Sequence, residues 1–597
     1  MTAELVESRP AGERPRRGGV VTWACAPGFP PAVIFPFTPA ERMGTRNILE
    51  FQALMYRTLY YFGSDGTPEV DYANSIGEPP EWSEDGRTVT VRVKPWRWSN
   101  GETLCADNVL FWVNLMKVKG ARYGEYVPGF FPDNLTDYGK LSDDTAYFTF
   151  DKAYSKRWVL MNQLSTITPL PRAWDRTAAG PANASGDLAD VAAVYDYLMA
   201  EQGDICAETN EHRTRWADSP IWSVVSGPWR LRSYTLDGVV TFVPNESYSG
   251  PNKPYLDEFR QVPTSSDEQQ YQVLQRGPQA DGGFQVGYLP LSFASSADGN
   301  PLDGTYRLVP QVAYCIRYFC LNYNNPTVVG KIFAQPYFRQ ALQSCLDQDS
   351  AVRDIYQGFA YRQNGPVPML PVTDLVSPRQ RDGAWPLPFD VDKARRLLSE
   401  NGWDTSVTPA VCVDPERAGA GIPAGTELSV LLRYVEGRPA LTRLMTALAL
   451  DAAAAGIEVR LEEVYGSILV AEDAPCVPGP DSPCLWEMCC WNGGWVYHYP
   501  TGEILFRTDA GGNFGHYSDP RADELIERTV TSDDPAALYE YQDYIAEQVP
   551  VIFTPNFPIR LFEVDARLRG FEPVNPFGMI APENWYYPED SAVEDDS

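Results

Sequence analysis

The chain has 597 residues, with 49 Lys+Arg against 79 Asp+Glu, so its formal charge is −30 and its isoelectric point is near 4.5. This charge excludes nucleic acid as a partner, because phosphate binding depends on a clustered basic surface. Hydrophobic residues make up 44% of an ordinary globular composition, whereas aromatic residues, at 13%, indicate both core packing and aromatic-lined recognition.

The first segment, about 20–171, is predicted to be rich in strands. Thr88–Val93 alternates polar and apolar residues, as a half-buried strand does, and Thr145–Phe150 predicts another strand. Between them an apolar helix is expected to run to Met116, with Asp107 as its N-terminal cap.

The middle of the chain is predicted to contain an insertion followed by a hairpin. Residues 178–219 are rich in Ala, Asp and Gly and predict a surface insertion with a helix near Val191–Met199. A turn at Leu236–Gly238 separates two strand-like runs, Gly227–Tyr234 and Val239–Val243, which predicts a β-hairpin.

From Ile316 onward, strands and helices are predicted to alternate. The strand Leu428–Tyr434, a long helix ending at Ala455 and the strand Ile457–Val464 predict a βαβ unit with parallel strands. The other elements expected here are a strand Tyr318–Tyr323 and helices Phe338–Leu346, Ala351–Gln357 and Asp392–Asn401.

The sequence offers neither a membrane span nor a signal peptide. No run approaches the roughly 20 apolar residues that cross a bilayer. Prolines interrupt 20–39, and Cys25 follows the bulky Trp23, which makes a poor lipoprotein cleavage site. The acidic tail 588–597 is predicted to be disordered.

The eleven cysteines leave at least one thiol unpaired in any disulfide scheme. Cys476, Cys484, Cys489 and Cys490 lie close together in sequence but lack the repeated spacing of a zinc site. We therefore expect no metal, and either buried thiols or one loop disulfide between Cys476 and Cys484.

Catalytic signatures are missing from the sequence. Gly139–Lys140 and Gly330–Lys331 are not followed by Ser or Thr as a phosphate-binding loop requires, and three histidines leave few candidates for a triad. We expect no catalytic residues, no cofactor and no enzyme activity.

Several motifs occur in the order and spacing of one family. They are Gly18–Trp23 followed by Ile34–Phe37, Glu81–Gly86, Trp98–Gly101, Gly227–Trp229 with Asn245 and Tyr248, Phe338–Leu342, and Asp392–Ala394 with Gly402–Trp403. In this order the chain resembles the extracytoplasmic solute-binding proteins of ABC importers, in the branch that includes oligopeptide-, dipeptide- and nickel-binding proteins (family 5). Tyr56–Arg57, Asn162–Pro169, Gly493–Trp495 and Tyr499–Gly502 resemble an actinobacterial subgroup.

The resemblance implies an α/β fold of the two-lobed periplasmic-binding-protein (Venus flytrap) type II class with an extra inserted domain. Lobe I would comprise 18–46, 165–300 and 550–587, with the inserted domain at 47–164 and lobe II at 301–549. Residues 1–17 and 588–597 would be tails. The ligand would lie in the interlobe cleft and be enclosed by hinge closure.

The resemblance also implies candidate ligand-binding residues. The largest group, from one aromatic segment, is Trp491, Asn492, Trp495, Tyr497, His498 and Tyr499, for which the glycines favour a loop; a core aromatic cluster is the alternative. Phe35 and Phe37 lie in the opening loop, with core packing as their alternative role. Asn162 belongs to the subgroup motif, and Arg317 and Asn322 begin the second lobe; a solvated Arg317 is equally consistent with the sequence.

One departure from the family bears on the ligand. Many peptide-binding relatives have Asp-Tyr-Pro in this segment, with the carboxylate paired to the ligand's α-ammonium, whereas this chain has His498-Tyr499-Pro500. Glu503 or Asp509 is the alternative source of an acid. We therefore expect a blocked, modified or non-peptide solute held by stacking and neutral hydrogen bonds.

The predicted function is the capture of a peptide or peptide-like solute for an ABC importer by a monomer whose partners are the permease and ATPase subunits. The family is extracytoplasmic and membrane-associated. The alternative is a flytrap-scaffold protein in the cytoplasm, acting as an enzyme or carrier for a small metabolite, because eleven cysteines suit a reducing compartment.

Overall fold

The computed structural model describes residues 14–26, 30–207, 209–294, 301–476, 479, 483–496 and 498–589. Its contacts divide the described chain into two compact units. The first unit contains the residues up to Pro290, 301–311 and the residues from Ile559 onward, and the second contains 291–294 and 312–558. The predicted lobe limits and the separate inserted domain stay predictions.

The strands that build the three larger sheets are numbered here in chain order. They are β1 (Val20–Cys25), β2 (Glu81–Trp82), β3 (Thr88–Arg92), β4 (Leu135–Ser142), β5 (Thr145–Phe150), β6 (Trp229–Tyr234), β7 (Val240–Pro244), β8 (Glu258–Pro263), β9 (Val286–Tyr288), β10 (Tyr306–Gln311), β11 (Cys315–Leu321), β12 (Ser429–Val435), β13 (Glu458–Val464), β14 (Met488–Cys490), β15 (Gly494–Val496), β16 (Val551–Thr554) and β17 (Arg560–Asp565). Two-residue ladders join Pro15–Arg16 to Tyr587–Pro588, Tyr61–Phe62 to Val70–Asp71, Arg176–Thr177 to Gly180–Pro181, and Trp403–Asp404 to Val411–Cys412.

The longer helices are also numbered in chain order. They are α1 (Ala106–Lys119), α2 (Leu188–Gln202), α3 (Asp267–Gln275), α4 (Pro336–Ser344), α5 (Val391–Glu400), α6 (Pro439–Ala455), α7 (Pro520–Thr531) and α8 (Pro535–Gln548). Shorter helical segments include Thr45–Asn47, Ile48–Gln52, Val159–Gln163, Arg213–Asp218, Val328–Phe333, Ala351–Ile355 and Gly466–Glu472.

The first unit is built on a seven-stranded sheet in the order β6-β7-β8-β1-β9-β17-β10. β1 lies at its centre, parallel to β8 and β9, so its apolar residues are covered by neighbours on both edges. Trp23 of β1 is buried and stacks on Trp585 with ring centroids 5.9 Å apart. The final segment of the chain therefore completes the core of this unit. The predicted hairpin is confirmed as β6 and β7.

A four-stranded antiparallel sheet, β2-β3-β5-β4, also lies in the first unit, and both strands predicted there are confirmed as β3 and β5. The predicted cap of α1 is wrong, because the N-cap residue is Cys105, whose backbone N–H donates to Asn108 Oδ1 at 2.8 Å. Asp107 instead lies in the first turn, where a carboxylate favours the helix dipole, and it pairs with Lys140 at 2.8 Å.

The helix α2 holds the opening loop of the first unit. Its last residue, Gln202, is fully buried, and its Oε1 accepts hydrogen bonds from the backbone N–H groups of Ile34 and Phe35 at 2.7 and 3.0 Å. Val191, Val194 and Leu198 of α2 are buried as well. The prediction of a surface insertion is therefore wrong for this helix, which is part of the packed unit.

The second unit is built on a six-stranded sheet in the order β13-β12-β14-β11-β15, with β16 paired to β11. β12 and β13 are parallel over their full length and are joined by α6, so the predicted βαβ unit is confirmed. β11 runs antiparallel to β14, β15 and β16. β11 therefore brings together residues from three later parts of the chain.

The structure bears on two expectations from the sequence, the pairing of the cysteines and the possibility of a membrane-spanning helix. Cys476 and Cys484 form a disulfide with a Cα–Cα distance of 6.0 Å, so the loop disulfide is the alternative that the structure adopts. Cys25 is buried at the end of β1. Within the described ranges, no helix combines the length and the apolar character that a membrane crossing requires.

Candidate functional site

The candidate site of the second unit is organised by Arg317 in β11. In the sheet register, Arg317 lies opposite Gly494 of β15 on one side and Thr554 of β16 on the other. The side chain is only partly buried. The sequence places an arginine here, between two neighbouring strands, where its long side chain reaches the turn before β15 and the loop after β16.

The guanidinium of Arg317 has three contacts that fix its plane. Its Nη1 donates to the Asn492 carbonyl oxygen at 3.1 Å, and its Nε donates to Asn556 Oδ1 at 3.2 Å. Its Cζ lies 3.5 Å from the centroid of the Phe557 ring, which is a close cation–π contact. A solvated, freely moving Arg317 is therefore not what the structure contains.

The Phe557 ring, which lies against Arg317, also stacks on the Tyr356 ring. The two ring centroids are 5.1 Å apart and the planes differ by 12°. Asn556, which is fully buried, uses its Nδ2 to donate to the carbonyl oxygens of Ala313 and Cys315. Burial raises the pKa of the neighbouring Cys315 thiol, while Arg317 opposes that rise, so the thiol stays neutral at physiological pH.

The segment 491–496 includes a short strand where its glycines predicted a loop. Gly494 pairs with β11, and this close approach requires glycine, because a Cβ at this position would clash with the Ile316 carbonyl oxygen. Asn492 has φ of +60°, a left-handed value that asparagine tolerates. The turn and the close approach together bring the Asn492 carbonyl oxygen to Arg317.

The two tryptophans of this segment are partly exposed. Trp491 packs edge-on against Tyr318 and Phe514, with centroid distances of 6.3 and 5.7 Å. Trp495 lies opposite Ile316 in the sheet register and is also partly exposed. Both indole rings keep apolar surface that a solute could cover. Tyr497, predicted beside them, lies outside the described residues.

The candidate acids that follow this segment differ in how deeply they are buried. His498 is partly exposed and Tyr499 is buried. Glu503 is 3% exposed, and burial, with a smaller contribution from its charge, raises the pKa of the Tyr541 phenol well above its usual range. Asp509 is exposed. The two candidate acids therefore differ, with Glu503 enclosed by the chain and Asp509 open to solvent.

The structure places Phe35 and Phe37 in an aromatic cluster of the first unit. Both rings are buried and lie 6.1 Å apart. Phe35 also contacts Trp174 and Trp222, at centroid distances of 6.1 and 5.9 Å. This packing is what the core alternative predicted, and contact of either ring with a solute stays a prediction.

The two predicted asparagines have different environments. Asn322 is buried, and its Nδ2 donates to the carbonyl oxygens of Cys484 and Trp486, each at 2.8 Å, so both amide hydrogens are used within the chain. Asn162 lies in the helical segment Val159–Gln163 and is partly exposed. Their contact with a solute stays a prediction.

The sequence interpretation missed Tyr356, Asn556 and Phe557. The available signal was Thr554-Pro-Asn-Phe-Pro558, in which two prolines stiffen a short loop that carries an amide and an aromatic ring. The structure brings this loop to Arg317, 239 residues away in sequence from Asn556. Proximity over such a distance cannot be read from local patterns.

This arrangement can bind by stacking and hydrogen bonding. It offers a guanidinium held over an aromatic ring and two partly exposed tryptophans. Across the described parts of the chain, no group of three or more His, Cys, Asp or Glu side chains is placed to hold a metal ion.

Comparison with known proteins identifies relatives of this architecture. The sequence pattern described as bacterial extracellular solute-binding proteins, family 5 middle, matches residues 71–475, which is more than half of the chain. Protein XP55 of Streptomyces lividans is 24% identical over 477 residues, covering 77% of this chain and 71% of its own. This relative supports the actinobacterial resemblance.

Solved structures share the fold. The oligopeptide-binding protein AppA of Bacillus subtilis, in complex with a nonapeptide, superposes with a TM-score of 0.66 at 18% identity and covers 96% of this chain and 100% of its own. NikZ of Campylobacter jejuni, in complex with Ni(L-His), gives 0.64 at 16% identity, covering 95% and 99%. The two-lobed α/β fold predicted from the sequence is therefore confirmed.

Proposed function

Because the chain belongs to the bacterial extracellular solute-binding proteins of family 5, which serve ABC importers, we propose that it captures a peptide-like solute without an acidic contact to an α-ammonium. Its partners are the solute and the permease and ATPase subunits of the importer. We propose further that it is not an enzyme, that it acts at the outer face of the membrane, and that its two lobes close on the solute.

The solute class has to be argued from this chain's own residues. AppA was solved with a nonapeptide and NikZ with Ni(L-His), so one fold accommodates very different solutes. A peptide-like solute is favoured by the geometry around Arg317, where a guanidinium lies over an aromatic ring and is bonded to the turn that carries two partly exposed tryptophans. This arrangement is the observation that carries the proposal.

The absence of an acidic contact is argued from charge. By the resemblance, His498 stands where many peptide-binding relatives have an aspartate, and an imidazole carries no negative charge in either protonation state. Glu503 is buried against Tyr541, and Asp509 is exposed. A buried ammonium without a negative partner would cost several kcal/mol, so a solute lacking that charge is favoured.

The experiment that tests this site is a pair of tryptophan replacements. Trp491→Ala is expected to weaken solute binding by about 1–3 kcal/mol, because a stacked indole contributes that much to an interface. Calorimetry with the N-acetylated di- to tetrapeptide that the native chain binds measures the change. Trp385→Ala is the matched control, because Trp385 is partly exposed in the same unit and contacts Arg362 instead.

Thermal unfolding of each variant separates binding from folding. An equal loss of affinity in both variants would contradict the proposal for Trp491. Loss of folding in Trp491→Ala, with affinity unchanged in the folded fraction, would favour the core alternative for this residue.

A further inference from the structure

A cluster of charged groups lies in the first unit. It contains Cys25 at the end of β1, Arg46 and Glu50 in the helical turns that follow the opening loop, and Arg560 at the start of β17. Arg560 Nη2 donates to Glu50 Oε1 at 2.7 Å, and Glu50 is 1% exposed. The cluster thus holds two guanidinium groups and one carboxylate.

Arg46 is the unusual member of the cluster. Its Nε, Nη1 and Nη2 are all buried, no oxygen acceptor among the described residues reaches them, and their hydrogen-bonding contact is with the weakly accepting Cys25 thiol. Arg560 Nη1 and Glu50 Oε2 are buried without a partner as well. Buried guanidinium nitrogens are nearly always paired, because an unpaired charge away from water costs several kcal/mol.

The groups around Arg46 do not neutralise it. The ionisable side chains with the largest effect on it are Cys25, Glu50 and Tyr234. Burial raises the pKa of the Cys25 thiol to about 11, and burial also raises the pKa of Tyr234, so both are neutral at pH 7. Glu50 is already paired with Arg560. Even if Glu50 turned toward Arg46, the cluster would keep one excess positive charge.

We propose that this cluster binds an anionic oxygen group, a carboxylate or a phosphate, with Arg46 as its main contact and Arg560 Nη1 as a second donor. A guanidinium presents paired N–H groups that match the oxygens of either group. The anion is either part of the captured solute, in which case the inference rests on the proposed function, or a free inorganic ion.

Entry of an anion requires the segment before Arg46 to move, because the three nitrogens have no free surface in this conformation. Gly44 allows such movement, since it is exposed and nothing lies within 4 Å of where its Cβ would be. The charge of the whole chain, −30, repels anions, so weak binding at the general surface is suppressed. Phosphate also stabilises folded proteins generally, because it is excluded from their surface, so the part of the response that depends on Arg46 reports the specific site.

The test uses the full chain and inorganic phosphate. Thermal unfolding is followed as chloride is replaced by phosphate at constant ionic strength and pH 7. Phosphate is expected to raise the Tm, because a ligand that binds only the folded chain stabilises it. In Arg46→Met, apparent phosphate affinity should fall about ten-fold or more, since charge-assisted hydrogen bonds are lost.

Two features keep this test decisive. Arg46→Met removes an unpaired buried charge, so the variant is expected to fold at least as well as the native chain without phosphate. Arg172→Met is the control, because Arg172 is 70% exposed in the same unit and should leave the phosphate response unchanged. No phosphate response in the native chain, or an equal response in Arg46→Met, would overturn the proposal.

A second comparison identifies the source of the anion. Calorimetry compares an N-acetylated tripeptide that carries a free C-terminal carboxylate with its C-terminal amide. If the anion belongs to the solute, the native chain should bind the peptide amide about ten-fold more weakly than the peptide acid. The Arg46→Met variant should then bind both peptides with equal affinity. Equal binding of both peptides, together with the phosphate response, assigns the site to a free ion. The Trp491→Ala result is independent of either outcome.

Discussion

Replacing Arg57 with methionine is expected to lower the free energy of unfolding by about 3–5 kcal/mol, because it leaves the carboxylate of Glu583 buried without its partner. Arg57 Nη2 donates to Glu583 Oε1, and the two side chains are 2% and 4% exposed. Arg57 also lies 4.6 Å from the centroid of the Tyr61 ring. The pair joins the early part of the chain to its last helical turn.

Urea denaturation followed by tryptophan fluorescence measures this loss. In the double variant Arg57→Met with Glu583→Gln, much of the stability should return, since no unpaired charge remains. Lys140→Met is the exposed control: it breaks the pair with Asp107, in which Lys140 is 41% exposed, and should cost about 0–1 kcal/mol. If Arg57→Met cost no more than this control, the buried pair would not anchor the C-terminal segment.

Replacing Arg317 with methionine is expected to loosen the turn at 491–496 and to weaken solute binding about ten-fold or more. The variant loses the donors to the Asn492 carbonyl oxygen and to Asn556 Oδ1, and it loses the cation–π contact with Phe557. Hydrogen exchange of the 491–496 amides measures the first effect, and calorimetry with the bound peptide measures the second.

Arg362→Met is the matched control for this variant. Arg362 is also an arginine of the second unit whose guanidinium faces an aromatic ring, at 5.2 Å from the centroid of Trp385, and it pairs with Asp349. It should change neither the exchange of 491–496 nor the affinity. Unchanged exchange in Arg317→Met would show that the pairing of β15 with β11 alone orders this turn.

Much of the fold could be predicted because local patterns report it directly. The alternation of apolar residues in β3 and β5, and the strand, helix and strand of β12, α6 and β13, follow from residue periodicity over five to seventeen residues. β15 was not predicted, because a glycine in sequence suggests a loop. Gly494 instead allows the close approach to Ile316 of β11, a strand far away in sequence.

The candidate site could be predicted only in part. Trp491, Trp495 and Arg317 were chosen from sequence, and the structure brings Arg317 to their turn. Phe557 was missed, because its contact with Arg317 depends on two strands that meet only in the folded sheet. The poor pairing of the Arg46 nitrogens is equally invisible in sequence, since only packing shows that no oxygen acceptor among the described residues reaches them.

Calorimetry with a panel of di- to tetrapeptides, each free and N-acetylated, decides whether the solute is held by its α-ammonium. We expect the N-acetylated members to bind at least as tightly as the free ones, because His498 offers no negative partner for an α-ammonium. Tight binding of free peptides that disappears on acetylation would contradict it. If that binding also collapsed in Glu503→Gln, the buried Glu503 would be the acid that pairs with the ammonium.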